Sequence, residues 1–479
     1  MIRKIAYIAC NAQKGTGLKS YSVAAEFTLP QGKASFAATT TMIIKIIHFL
    51  IFLIIVTTSP LFASDWRTFG KNSRHSASTD VNFPSADLKN IWSFVPSHHT
   101  WIYEKIGYQK GMNVWSSSCA TLEIDNKKII YAGFYDHNLY AIDAETGIRL
   151  WRYTTGGVLD SSPCADEINA QPIVFIGSGD RTVYAINAKT GEKIWGWETE
   201  KWDYTTSRGM PSSPIIEEIG GKKTLFICFW NNNFGPFKNT QKGEMFSFDA
   251  LSGKLNWRVK LGNLPLNSPA FAYIDKKPAL LTTSHDGSLY TIDAKTGKII
   301  WDFISDSAIY SSPVIINISN KEYIVFGTRF GNIYALDVDR GRIFWKFKTG
   351  HAVDSTCAFS VIEGLPMIFA GSHDRNLYAI NASNGKKIWA FQTGNFITSS
   401  PAIGSINNKK VVFIPSLDDY LYAIDALSGQ ELWKYKTGKL IWEYTTRGDT
   451  LWSSPVLIDT KKGPLLIFGS YDGKLYAFK

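Results

Sequence analysis

Residues 140–151 read Tyr140-Ala-Ile-Asp-Ala-Glu-Thr-Gly-Ile-Arg-Leu-Trp151, and this phrase recurs along most of the 479-residue chain. Each copy keeps an aromatic residue, a glycine and a tryptophan at the same spacing. The other copies are Tyr184…Trp195, Phe246…Trp257, Tyr290…Trp301, Tyr334…Trp345, Tyr378…Trp389, Tyr422…Trp433 and the truncated Tyr476-Ala-Phe-Lys479. Five of the seven steps between the aromatic residues are 44 residues, and the other two are 62 and 54. Such a period is typical of the blades of a β-propeller.

A second phrase, Ser-Ser-Pro or a variant of it, precedes every copy of the first. It stands at 161–163, 212–214, 311–313, 399–401 and 453–455, with variants at 116–118, 267–269 and 355–357. Between the two phrases, short apolar runs alternate with clusters of Gly, Asp and Asn, as hairpin-connected strands require. The sequence therefore predicts an all-β, eight-bladed β-propeller of four-stranded antiparallel blades.

The two ends of the repeat array complement each other. The eighth copy ends at Phe478-Lys479, before the fourth strand and the tryptophan of that blade. The stretch Asn90-Ile-Trp92-Ser-Phe has the missing pattern and stands before the first Ser-Ser-Ser phrase. We therefore expect residues 90–94 to supply the outer strand of the last blade and to close the ring.

The composition is that of a globular protein, with 45% hydrophobic, 14% aromatic and 19% charged residues. Six of the 51 basic residues and one of the 41 acidic residues lie in residues 1–64, so the remainder has a net charge of only +5. The chain has no block of five or six like charges, and nucleic-acid binding is not expected.

The N-terminal region, residues 1–64, reads as a leader. Residues 43–56 are almost continuously apolar, with Lys45 near their start and Ser59, Pro60 and Ala63 after them. This pattern predicts a signal peptide over 42–63, cleaved after Ala63, with Met42 as an alternative start that would leave 1–41 mis-called. The alternative to cleavage is an uncleaved anchor, for which 14 apolar residues are short. The mature part, 65–479, is then a single propeller domain without a membrane span. It would be periplasmic or secreted, because no lipobox cysteine follows the apolar run.

The pattern Ala141-x-Asp143-x-x-Thr146-Gly147-x-x-x-Trp151 resembles the tryptophan-docking motif of the PQQ-type, or quinoprotein-like, propellers. The resemblance extends over nearly all of residues 66–479, and residues 65–70 also resemble the entry segment of exported members. Each docking tryptophan is expected to pack on the next blade and to donate its indole N–H, which is a structural role. These residues are Trp92, Trp151, Trp195, Trp257, Trp301, Trp345, Trp389 and Trp433.

Four insertions interrupt the regular spacing. Five connections from a docking tryptophan to the third residue of the next Ser-Ser-Pro phrase are 12 residues long, whereas those after Trp92, Trp195 and Trp433 are 26, 19 and 22. The fourth insertion lies between Cys228 and Phe246. Because strand direction alternates within a blade, all four are expected on one face of the ring, where loops on a rigid scaffold often bind ligands.

Aromatic and arginine side chains are concentrated in or beside these insertions. They suit a flat or anionic ligand, through stacking and carboxylate contacts, or a protein partner. Alternatively, the loops bury these aromatic residues against one another and only cap the propeller. The candidate binding residues are Trp101, Tyr103, Trp115, Trp202, Tyr204, Arg208, Trp442, Tyr444, Arg447 and Trp452.

Other polar residues are weaker candidates. Asp160 and Asp354 precede Ser-Ser-Pro-type phrases and are expected at the channel mouth, but in nearly opposite blades. Aspartates in the hairpins between strands two and three are expected to bond their own backbone rather than to catalyse; they are Asp180, Asp286, Asp374, Asp418 and Asp472. The histidines, His285 and His373 among them, have no zinc-ligand spacing, and no metal is predicted. Cys119, Cys164, Cys228 and Cys357 are expected to be buried thiols.

Three functions remain open. The first is an exported, non-enzymatic propeller that binds an unknown ligand or envelope protein through its decorated face, without a cofactor. The resemblance also allows a dehydrogenase that uses PQQ and Ca²⁺, although no adjacent cysteine pair, haem motif or calcium-ligand set is present. It allows as well a BamB-like factor of outer-membrane protein assembly, although the lipobox is missing.

Overall fold

The structure is a computed structural model that describes residues 3–13, 18–28, 67–96, 117–199, 209–231, 242–262, 267–438, 453–470 and 472–479. The chain separates into two compact units, Met1–Leu61 and Phe62–Lys479. In the first unit, strands β1 (Arg3–Gln13) and β2 (Leu18–Thr28) pair as an antiparallel hairpin. The expected signal segment, 42–63, lies outside the described residues. No helix among the described residues is long and apolar enough to cross a membrane.

The second unit is built of strands in eight small sheets. Two strands precede the repeats, β3 (Ser78–Phe83) and β4 (Asn90–Phe94). Blade one has β5 (Ala120–Ile124), β6 (Lys127–Gly133), β7 (Asn138–Asp143) and β8 (Arg149–Thr154), and blade two has β9 (Cys164–Ile168), β10 (Gln171–Gly177), β11 (Thr182–Asn187) and β12 (Lys193–Glu198). Blade three has β13 (Gly209–Pro211), β14 (Ile215–Ile219), β15 (Lys222–Asn231), β16 (Lys242–Asp249) and β17 (Leu255–Leu261).

The remaining blades follow the same order. Blade four has β18 (Ala270–Ile274), β19 (Lys277–Thr283), β20 (Ser288–Asp293) and β21 (Ile299–Ile304), and blade five has β22 (Val314–Ile318), β23 (Lys321–Gly327), β24 (Asn332–Asp337) and β25 (Ile343–Lys348). Blade six has β26 (Ala358–Ile362), β27 (Leu365–Gly371), β28 (Asn376–Asn381) and β29 (Lys387–Gln392), and blade seven has β30 (Ala402–Ile406), β31 (Lys409–Pro415), β32 (Tyr420–Asp425) and β33 (Glu431–Lys436). Blade eight has β34 (Val456–Thr460), β35 (Gly463–Gly469) and β36 (Leu475–Phe478).

The predicted fold is confirmed. Within each blade the strands of the repeat are antiparallel to their neighbours, and they are paired in sequence order except that β4 completes blade eight. The two middle strands are buried on both faces because each blade packs between two others, as in β10 and β24. Outer strands such as β21 alternate between exposed and half-buried positions. Blade three differs from the four-stranded pattern, because the short strand β13 pairs with the lengthened β15.

The predicted closure of the ring is also confirmed. Strand β4, residues 90–94, pairs antiparallel with β36, and Trp92 lies opposite Ala477. Two backbone hydrogen bonds between Lys89 and Lys479, both 3.0 Å long, extend this pairing. Blade eight therefore takes its outer strand from the beginning of the domain, and the ring has no gap between its first and last blades.

The docking tryptophans connect neighbouring blades. Seven of the eight lie against the glycine of the next copy of the repeat phrase, whose backbone is left-handed: a Cβ built on Gly147 (φ +70°) would lie 2.7 Å from the ring of Trp92. Trp433 instead packs edge-on against Phe478 of the truncated eighth copy. Six indole N–H groups donate to a backbone carbonyl of the next blade at 2.7–3.1 Å. The six donors are Trp92, Trp151, Trp195, Trp257, Trp345 and Trp389.

Trp301 differs from the expected pattern. Its buried indole N–H has no hydrogen-bond partner in the structure. The residue at the acceptor position of blade five is Val338, where the phrase otherwise has alanine. A Cβ built on Gly341 would meet the outer six-membered edge of the Trp301 ring, at Cζ3 and Cη2, whereas in other blades it would meet Cγ and Cδ2. Where valine replaces alanine, the indole ring of Trp301 is therefore shifted so that the outer edge of its six-membered ring, rather than its Cγ–Cδ2 side, covers the glycine.

Residues 67–83, called here the crossing segment, pass along the inner strands of the ring. The carbonyls of five of its residues each accept a hydrogen bond, 2.8–3.1 Å long, from the second residue of an inner strand. The pairs join Arg67 to Ala165, Ser73 to Phe271, Arg74 to Ile315, Ser76 to Phe359 and Ala77 to Ile403. Strand β3 then pairs in parallel with β30 as a fifth strand of blade seven. Blades two, four, five, six and seven are thus joined by one stretch of backbone.

Candidate functional site

Connections from strand four to the next strand one, and from strand two to three, lie on one face of the ring, called here the loop face. Contacts among the short connections show this arrangement directly. The backbone N–H of Thr155, in the connection after β8, donates to the carbonyl of His137 between β6 and β7 at 2.8 Å. The next connection continues the pattern, since Gly179 N–H donates to Val158 at 2.8 Å. The four insertions belong to these two kinds of connection, so their ends emerge on the loop face.

The candidate residues within the insertions cannot be placed. Trp101, Tyr103, Trp115, Trp202, Tyr204, Arg208, Trp442, Tyr444, Arg447 and Trp452 lie outside the described residues. Their binding role therefore stays a prediction from sequence. The described residues at the loop-face ends of the inner strands nevertheless form a side-chain cluster of their own.

Two positions in each blade supply this cluster. One directly precedes the Ser-Ser-Pro phrase, and the other precedes the position of the hairpin aspartate between strands two and three, which is Phe330 in blade five. Tyr310 and Asp354 occupy the first position in blades five and six. His285, Arg329 and His373 occupy the second position in blades four, five and six.

These side chains contact one another in an unbroken series across three blades. The rings of His285 and Tyr310 are stacked, with centroids 3.7 Å apart. The guanidinium of Arg329 lies 4.1 Å from the centroid of the Tyr310 ring and 3.3 Å from the carboxylate of Asp354. Nε2 of His373 lies 3.1 Å from the same carboxylate oxygen, Asp354 Oδ2. Asp354 therefore joins a cation–π pair on one side to a histidine on the other.

His373 belongs in addition to a group of three nearly parallel rings, called here the ring triad: His351, His373 and Phe396. Their centroids are 5.2–6.3 Å apart and their planes differ by 4–14°. His351 is exposed, and Phe396 has 42% of its surface accessible. Two rings of the triad are thus exposed to solvent, and the third, His373, contacts the Asp354 carboxylate.

Several polar atoms of this region are buried without a partner. The side chains of Asp354 and His373 are each 10% exposed, and Thr398 is 8% exposed. Asp354 Oδ1 and Thr398 Oγ1 have no hydrogen-bond partner among the described residues, and the contact of His373 Nε2 with Asp354 Oδ2 lacks hydrogen-bond geometry. A buried acceptor without a partner costs about 1–3 kcal/mol. Burial also lowers the pKa of His285 to about 4, and the neighbouring Arg329 charge acts in the same direction.

The hairpin aspartates make the backbone contacts expected from sequence. Asp374 accepts from the N–H of Asn376 at 3.0 Å, from Gly350 in the neighbouring connection at 2.7 Å and from the Tyr378 hydroxyl at 2.7 Å. Asp180 and Asp418 make the corresponding three contacts in blades two and seven. Burial and the Asp374 carboxylate raise the pKa of Tyr378 to about 12, so this tyrosine remains a donor. These aspartates hold the loop-face connections in place.

Metal-ligating side chains are dispersed in the described part of the channel mouth. Within the described ranges, no three His, Cys, Asp or Glu residues are arranged to hold a metal ion. Asp160 and Asp354 stand before the inner strands of blades two and six, on opposite sides of the ring. The buried thiols, Cys119, Cys164, Cys228 and Cys357, are unpaired and lie in different blades. Burial raises the pKa of Cys119, Cys228 and Cys357 to about 12.

Sequence reasoning singled out Asp354, His285 and His373 but not their neighbours. Tyr310, Arg329, His351 and Phe396 fall in connections of regular length, and no insertion draws attention to them. A signal is nonetheless present: the residues beside the Ser-Ser-Pro phrase and the hairpin aspartate vary between blades, whereas those two landmarks recur. Aligning the blades on both landmarks would have identified Tyr310 and Arg329 as variable positions at the mouth.

Comparison with solved structures gives the same architecture in three proteins. A europium-containing methanol dehydrogenase has a TM-score of 0.63 at 13% identity, covering 87% of this chain and 98% of its own. The quinohemoprotein alcohol dehydrogenase of Comamonas testosteroni has a TM-score of 0.62 at 14% identity, covering 88% and 82%. BamB of Moraxella catarrhalis has a TM-score of 0.53 at 15% identity, covering 82% and 97%. At such identities the likeness establishes the fold alone.

Similarity of sequence, rather than of fold, identifies the family of the chain. No curated protein matches it. The family model described as "Outer membrane protein assembly factor BamB" matches residues 104–229, 241–325 and 329–479, which is more than half of the chain. With its repeated docking motif and its eight blades, the chain belongs to this PQQ-repeat family.

Proposed function

We propose that the chain is an exported, non-enzymatic propeller that binds a ligand or an envelope protein through its loop face. One observation carries this proposal: the series of contacts from His285 to Phe396 leaves exposed rings beside buried acceptors without partners. Convergent aromatic and polar side chains of this kind are typical of a binding site. Export is supported by the signal-peptide pattern over 42–63.

The insertions support the same face as the binding surface. Four longer connections begin and end there, and two of them carry similar sequence sets, Trp202, Tyr204 and Arg208 in one and Trp442, Tyr444 and Arg447 in the other. Aromatic and arginine side chains are enriched among residues that dominate binding energy. The proposal assigns recognition to these loops and to the channel mouth that they surround.

The experiment begins with protein purified from its native envelope. Small molecules and metals are extracted and identified by mass spectrometry, and co-purifying proteins are identified in parallel. A stoichiometric quinone with calcium would contradict the non-enzymatic assignment. Any other stoichiometric ligand or protein would support it.

Substitutions then locate the binding surface. The Trp202→Ala/Trp442→Ala variant should lose the co-purifying molecule while its melting temperature changes little. Arg208→Ala and Arg447→Ala should weaken an anionic ligand most, and added salt should reduce that effect where the charges are exposed. A large fall in melting temperature with unchanged binding would instead show that the loops only cap the propeller.

The family match favours a second candidate, a factor in outer-membrane protein assembly that docks other proteins. This function uses the same loop face but predicts protein partners rather than a small molecule. Capture of outer-membrane assembly factors from envelope extract, lost in the Trp202→Ala/Trp442→Ala variant, would support it. Reproducible capture of no such factor would reject it.

A further inference from the structure

The ring triad has the geometry of a stacking platform. His373 and Phe396 are parallel within 4° at 5.2 Å, and His351 lies parallel within 14° of both. Two of the three rings are exposed on the loop face. Parallel aromatic faces in contact with solvent favour a ligand that has a flat, weakly polar face of its own.

The polar atoms beside the triad require hydrogen-bond donors. Asp354 Oδ1 and Thr398 Oγ1 are buried and lack partners among the described residues, and a carboxylate oxygen can only accept. One hydroxyl of a bound ligand can donate to the carboxylate, and another can exchange a hydrogen bond with the threonine. Binding such a ligand would remove the free-energy cost of the unpartnered acceptor.

The charges of Arg329 and Asp354, next to the ring triad, neutralise each other. Arg329 and Asp354 form an ion pair at 3.3 Å, and the guanidinium also covers the Tyr310 ring. The arginine is therefore already engaged and is not presented to a ligand carboxylate or phosphate. A neutral ligand with several hydroxyl groups suits this environment better than an anion.

We infer that the ring triad, with Asp354 and Thr398, binds a neutral carbohydrate. The C–H face of a pyranose ring stacks on Phe396 and His351, while hydroxyl groups donate to Asp354 and exchange hydrogen bonds with Thr398. This assignment rests on the proposed binding function and adds the class of ligand. A fully aromatic ligand can stack equally well but offers few hydroxyl donors to the acceptors beside the rings.

The experiment uses the full mature chain. Labelled protein is applied to an array of neutral and acidic mono- and oligosaccharides, and each neutral sugar that binds is measured by calorimetry. Phe396→Ala and Asp354→Asn should each weaken the affinity at least tenfold, whereas Phe396→Tyr should stay within about threefold of the unmodified protein.

Phe330→Ala is the matched control. Phe330 is 65% exposed on the same face, in the hairpin between β23 and β24, and is not part of the ring triad. Its removal should leave sugar affinity unchanged. Melting curves of all variants identify any loss of affinity that arises from unfolding, and Phe396→Tyr keeps the test decisive if Phe396→Ala is unstable.

Three results would overturn the inference: no neutral sugar binds, only acidic sugars bind, or binding is unaffected by Phe396→Ala and Asp354→Asn. The proposed function fails separately. If no sugar binds but the Trp202→Ala/Trp442→Ala variant loses a co-purifying protein, the carbohydrate assignment falls and the binding function stands. If the native protein carries no ligand and captures no partner, both fall.

Discussion

Six docking tryptophans combine two contacts, a ring on a glycine and an N–H on a carbonyl, whereas Trp301 makes only the first among the described residues. Comparing Trp301 with a tryptophan that makes both contacts separates the stability contributed by the indole hydrogen bond from that contributed by ring packing. Trp257 donates to Ala294 at 3.0 Å, whereas the neighbouring Trp301 donates to no described group. The blades are otherwise built alike, so the two positions form a natural comparison.

Phenylalanine at these two positions should have unequal effects. Trp257→Phe loses a hydrogen bond and should cost about 1 kcal/mol more than Trp301→Phe. Trp301→Ala should still cost roughly 3–5 kcal/mol, because a large packed ring is removed. Urea unfolding of the three variants gives the differences. Equal losses for the two phenylalanine variants would show that the indole bond contributes nothing, and lost ligand binding at full stability would make Trp301 a site residue.

The glycines under the tryptophans offer a second comparison. Gly253 and Gly221 both have positive φ, +71° and +79°, so alanine costs about 1 kcal/mol of backbone strain at either. At Gly253 the added Cβ would also lie 2.6 Å from Trp195, whereas at Gly221 no atom lies within 4 Å. Gly253→Ala should therefore lower the melting temperature clearly more than Gly221→Ala. Similar losses would show that Trp195 moves aside without cost.

The motif predicts the positions of these residues but not all of their contacts. The spacing of Gly147 and Trp151 is read directly from the repeats, since every blade must present the same two groups to its neighbours. The missing bond of Trp301 depends on one methyl-bearing side chain, Val338, which leaves the spacing intact. Similarly, the contacts among Tyr310, Arg329 and Asp354 join different blades, and no local pattern encodes them.

The contacts of the crossing segment are those that the sequence predicts least well. Residues 65–70 were recognised by resemblance only, and the hydrogen bonds from residues 67–77 to five inner strands follow no repeat. Its one buried histidine, His75, has Nδ1 2.9 Å from the carbonyl of Pro313 and an edge-on contact with Phe69. Nε2 of His75 is buried without a partner in the structure.

The stability of the propeller should therefore depend on the protonation of His75. Burial lowers the pKa of His75 to about 4, against 6.5 when the chain is unfolded. The stabilisation is fully present above pH 6.5 and is lost as the pH falls towards 4, by about 3 kcal/mol in total. His75→Asn keeps a donor for Pro313 and tolerates the left-handed backbone (φ +56°), so it should lose less stability between pH 7 and 4.

Urea unfolding of both proteins at pH 7, 6, 5 and 4 measures this difference. His285 is present in both and titrates in the same direction, so its contribution cancels in the comparison. Parallel pH profiles for the two proteins would mean that His75 is not the titrating group.

Removal of residues 65–94 tests the ring as a unit. The deletion takes away β4, which completes blade eight, together with the crossing segment that joins five blades. We expect an insoluble protein or a large fall in melting temperature, because an open strand edge and several unpaired inner strands result. An unchanged melting curve would mean that the ring closes in another way.

The N-terminal position of β4 also determines the order in which the protein can be completed. A chain synthesised from its N-terminus presents residues 67–94 before the later blades that they contact, and their partner strand at residues 475–478 emerges after all of those blades. Contacts so distant in sequence form slowly, and an unpaired strand is prone to aggregate while it waits. We expect the early residues of this domain to depend on a holding chaperone until the final strand arrives.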